Sequence, residues 1–104
     1  MMKSKNTDEI IGMMKNNDTD AIIYGAESNI PILNLNAVIF GVKYRVSSDQ
    51  FISLLKDKLL KSEVSFFGMK FSKIVTAALD VLNIEKYYGD DKLIMQLINS
   101  QFNF

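Results

Sequence analysis

Apolar residues recur at helical spacing over most of the chain. The clearest case lies between Gly68 and Ile84. There Phe71, Ile74, Val75, Ala78, Leu79 and Leu82 fall at i, i+3, i+4, i+7, i+8 and i+11, the stripe of an amphipathic helix with one face in a core. Lys70, Ser72, Lys73, Thr76, Asp80 and Asn83 fill the other side. Ala77 and Ala78 are small enough to let a neighbouring helix come close.

Five further helices are expected around this one. A polar leader, residues 1 to 6, precedes a short helix from Asp8 to Lys15, capped by Thr7 or Asp8. Asn16-Asn17-Asp18 breaks it, because Asn and Asp side chains offer the backbone competing hydrogen bonds. A second short helix runs from Thr19 or Asp20 to Ala26, with Gly25 weakening its end. Pro31, the only proline, suits the first turn of a third helix reaching Tyr44. That helix is apolar nearly all round, which places it centrally. A strand from Ala37 to Tyr44 is the alternative, since Val, Ile, Phe and Tyr favour strands.

Ser47 followed by Gln50 reads as a capping box opening a fourth helix, Asp49 to Lys61, with Phe51, Ile52, Leu55 and Leu59 as its stripe. Ser62 to Phe67 reads as a loop whose Val64, Phe66 and Phe67 plug the end of the core. After Gly89, Asp90 or Asp91 caps a last helix with Leu93, Ile94, Leu97, Ile98 and Phe102 on one side. The expectation is one all-α domain over residues 1–104.

Composition narrows the chemistry more than it extends it. The hydrophobic fraction of 48% supports a real core, and the net charge of zero gives no general attraction to nucleic acid or anionic membrane. No cysteine and no histidine are present. That removes disulfides, thiolate ligands and the commonest general base and metal ligand. No cofactor, metal site or catalytic constellation is therefore expected. The start, MMKSKNTDE, lacks the apolar stretch of a signal peptide, and no apolar run approaches the ~18 residues of a membrane span. The chain reads as soluble and cytoplasmic.

The third and fifth helices overlay at an offset of about 39 residues, Ile39-Phe40-Gly41-Val42 on Ala78-Leu79-Asp80-Val81. Each follows a more polar helix and a turn. In this, Leu35 to Val42 and Ile74 to Leu82 resemble the second helices of short bacterial HEAT-like repeats, and the Pro31 turn also fits. The Asp-Pro turn and Val-Arg pair common in that family are absent, and Asp80 stands where Gly41 matches the family glycine. The resemblance implies a right-handed stack of antiparallel helix pairs, a short α-solenoid. A non-repeat helical bundle is the alternative.

The resemblance further implies a non-catalytic interaction module with the third and fifth helices lining the partner face. Asn34, Asn36, Lys73, Thr76 and Asp80 would then lie nearest a protein or peptide partner. Lys43 and Arg45, with Tyr44 between them, could join Lys70 and Lys73 in a basic patch for nucleic acid, against a plain solvated surface as the simpler reading. Self-association is a third reading, through Met13 and Met14 of the first helix or Phe102 and Phe104 of the last, because solenoid ends need polar caps. Gly89-Asp90-Asp91 invites a metal reading, but a helix stop and a helix cap explain it without one. Tyr87 and Tyr88 form either a recognition patch or a closure of the core.

Overall fold

The computed structural model describes residues 5–102. Six α-helices dominate it: α1 (Thr7–Lys15), α2 (Thr19–Glu27), α3 (Pro31–Lys43), α4 (Asp49–Ser53), α5 (Phe71–Val81) and α6 (Lys92–Ser100). A hairpin of two short strands, β1 (Ser65–Phe66) and β2 (Met69–Lys70), interrupts them. Residues 1–4 of the expected leader, and Phe104, lie outside the described residues. Asn6 is not part of a leader. It caps α1, its side chain accepting from the Glu9 amide at 2.8 Å while its own N–H donates to Glu9 at 3.4 Å.

α3 is the central element and a helix throughout, as its continuous apolar surface requires. It packs against α1, α2 and α5 and buries Leu33, Leu35, Ala37, Val38 and Val42. Gly41 is where the fourth helical segment meets it. A Cβ there would lie 2.3 Å from the Phe51 ring, so only glycine admits the aromatic. α2 also touches α4, and α3 touches α5.

The fourth helical segment runs to Lys61, as its stripe predicts, but not as one regular helix. After Ser53 it widens to a π-turn over Leu54–Lys58 and tightens to a 3₁₀ turn over Leu59–Lys61. Its cap also differs from the expected box. Ser48 accepts from the Phe51 amide, and Gln50 instead donates to the Glu27 carboxylate.

The hairpin corrects the expectation of a loop. Phe66 pairs with Met69 and Ser65 with Lys70. The strands are two residues each, too short for alternation to register as a pattern. Helix α5 consequently starts at Phe71, not Gly68. Its buried set is Phe71, Ile74, Val75, Ala77, Ala78, Leu79 and Val81, while Leu82, at the edge of the expected stripe, is half-buried.

Met14 and Phe102, expected at sticky ends, are 0% and 7% exposed in the chain's own core. Among the described residues, no helix is long and apolar enough to cross a membrane.

Candidate protein-docking groove

The last four carbonyls of a helix have no partner inside it. Here distant side chains satisfy many of them. Asn34 donates its amide to the carbonyls of Gly25 and Ser28, each at 2.8 Å, closing the end of α2. From the π-turn, the Lys58 ammonium reaches the same end, bonding Ala26 at 3.1 Å, Ser28 at 2.7 Å, and Glu27. Burial lowers the Lys58 pKa, with the Glu27 carboxylate acting the other way. Tyr44 donates to the carbonyl of Lys15 at the end of α1. Arg45, in left-handed backbone at φ 54°, donates to Val81 at the end of α5 and to Gln101.

The other residues singled out on the polar side of α3 and α5 are also engaged within the chain. Asn36 bonds the Ile32 carbonyl and Thr76 the Ser72 carbonyl, each one turn back. Asp80 accepts from the Tyr87 amide at 2.8 Å. Lys73 pairs with Asp91 at 2.8 Å. Asp91 also caps α6, accepting from Leu93 and Ile94. The Lys73 hydrogen bond first, then the α6 amides, hold its carboxyl below the usual range. This places Asp91 as a helix cap, and the Tyr87 hydroxyl accepts its N–H. Among the described residues, no group of three acids could hold a metal ion.

The cations expected in one basic patch do not all come together: Lys43 and Arg45 border one hollow, but Lys70 lies at the far end of α5. Arg45 lies at the last residue of α5, whereas Lys70 immediately precedes the first. Eleven residues at about 1.5 Å each put about 16 Å of helix between them. Lys43 sits over the Tyr44 ring, 5.5 Å from its centroid.

One surface feature has no internal use. Phe67 and Gly68 form the two-residue turn of the hairpin, both at positive φ, 55° and 79°. That is the pattern of a type I′ turn, where Asn-Gly or Asp-Gly is favoured. Phenylalanine is disfavoured there because its Cβ crowds the backbone, at about 1–2 kcal/mol. Its side chain recovers nothing, since Phe67 is 100% exposed. The expected plug is therefore a projecting ring. Phe66 does pack inward, its ring edge-on to Phe71 at 5.5 Å.

Beside this tip lies a groove of about 280 Å³, walled by Leu35 and Ile39 of α3, Ile74 of α5, Leu97 of α6, and the hairpin's Phe66, Phe67 and Met69. Every lining residue is apolar. A larger hollow of about 420 Å³ surrounds Arg45, but its walls mix apolar and charged groups and its guanidinium is already engaged. The groove went unread in the sequence because four separate elements build it. The signal that was available is Phe67-Gly68, a glycine turn with an aromatic where a small polar residue belongs.

No family model matches the chain, and neither a curated protein nor a solved structure matches it.

Proposed function

We propose that this chain is a non-catalytic protein-interaction module whose docking surface is the apolar groove and the Phe67 tip beside it. The carrying observation is Phe67 itself. It is fully exposed in a backbone conformation its residue type disfavours, so its presence weakens the isolated chain. Local rules broken without internal compensation mark functional positions. Aromatic rings entering apolar pockets are the usual anchors of protein interfaces.

The helix arrangement behind the surface is read as a short HEAT-like stack of antiparallel pairs, α2 with α3 and the fourth helical segment with α5. The contacts of α2 with α4 and of α3 with α5 support that reading. The groove then lies on the side formed by the second helices, and apolar residues between the polar ones do the binding.

The test is capture of partners from the source cells with the intact chain and with Phe67→Asn. The substitution should weaken capture at least about tenfold, as expected for a central anchor. Capture by the unchanged chain should persist at high salt, because the contact is apolar. A partner held equally by both chains would place the docking surface elsewhere.

A further inference from the structure

Resting on that reading, we infer that the groove takes the Phe67 ring of a second copy of this chain, forming a two-fold pair. Size comes first. At about 280 Å³ the groove has room for an aromatic side chain. Chemistry comes second. Its lining is wholly apolar, so a polar or charged occupant would lose hydration without gaining a partner.

Position comes third. A two-fold interface uses the same patch on both partners, so knob and hole must share one face. Phe67 is the projecting knob, and it forms part of the rim of the hole. Each copy therefore offers both halves of a reciprocal contact. Electrostatics does not oppose the encounter, because the net charge is zero.

The area sets the strength. Two rings burying about 150–250 Å² each, with the walls they cover, remain below the ~1,200 Å² that separates transient from stable interfaces. The pair is transient and forms at high concentration.

Sedimentation equilibrium over a wide concentration range tests this on the full chain. The weight-average mass of the unchanged protein should rise from 11.8 kDa towards twice that value, while Phe67→Asn stays at 11.8 kDa. A mixed sample, one copy methyl-labelled and the other unlabelled, should show intermolecular NOEs from the Phe67 ring to Ile39, Ile74 and Leu97 methyls. A mass fixed at 11.8 kDa overturns the pair. If Phe67→Asn then still loses a captured partner, the docking surface survives with a different occupant. A mass that rises equally in the variant, or rises without those NOEs, also overturns it.

Discussion

Two surface regions flank α5, and they use their residues in opposite ways. On its polar side and along the link to α6, Thr76, Asp80, Lys73 and Asp91 are all bonded to neighbours in the chain. At its N-terminal end, the hairpin presents a fully exposed aromatic ring in disfavoured backbone. Polar residues on a helix face are a poor guide to function when the fold has already spent them. A large apolar residue that costs stability and returns none is a better one.

The largest expected effect is at another internally bonded polar residue, Asn34 of α3. Asn34→Ala removes two 2.8 Å hydrogen bonds and leaves the part-buried Gly25 carbonyl without its side-chain donor, while Lys58 still bonds Ser28. It should cost about 2 kcal/mol in urea unfolding, with the slope unchanged. No loss would mean water replaces the amide and Asn34 is free to meet a partner.

Phe67→Asn should act in the opposite direction, stabilising the monomer by about 1 kcal/mol through relief at the turn. Its melting temperature should rise at concentrations where the chain is monomeric. A fall would mean that Phe67 supports its own fold, and the contrast between the two regions would collapse.

Asp80→Ala removes the acceptor of the Tyr87 amide and should cost about 0.5–1.5 kcal/mol without affecting partner capture. Loss of capture with an unchanged fold would return function to the polar side of α5.

The smallest effect is confined to acid. Asp91 has a folded pKa below its unfolded value of about 3.9. Its contribution is therefore complete above that value and is lost as pH falls through the folded one. The melting-temperature gap between the unchanged protein and Asp91→Asn should be constant near neutrality and narrow below about pH 4. A gap independent of pH would mean the charge has no part in holding α6.

Much of the helical framework was legible in the sequence. The α5 stripe, the Pro31 start of α3 and the Asp91 cap each depend on residues within a few positions of one another. Caps read from a single residue type were less secure. Asn6, not Thr7 or Asp8, closes α1, and Ser48 acts without Gln50. Several residue types can cap, and which one does depends on how the preceding chain enters the helix.

Local spacing and capping chemistry thus determined the helices, because the interactions that make a helix span about one turn. Only the tertiary structure decided what the polar residues do. Asn34 finds its carbonyls 6 and 9 positions away, Lys58 about 30 and Arg45 36, and no periodicity encodes such pairings. It also decided the fate of three apolar residues in one short segment. Phe66 turns inward onto Phe71, Val64 lies at the surface, and Phe67 is carried outward by a turn whose two positive φ angles point it away from the core.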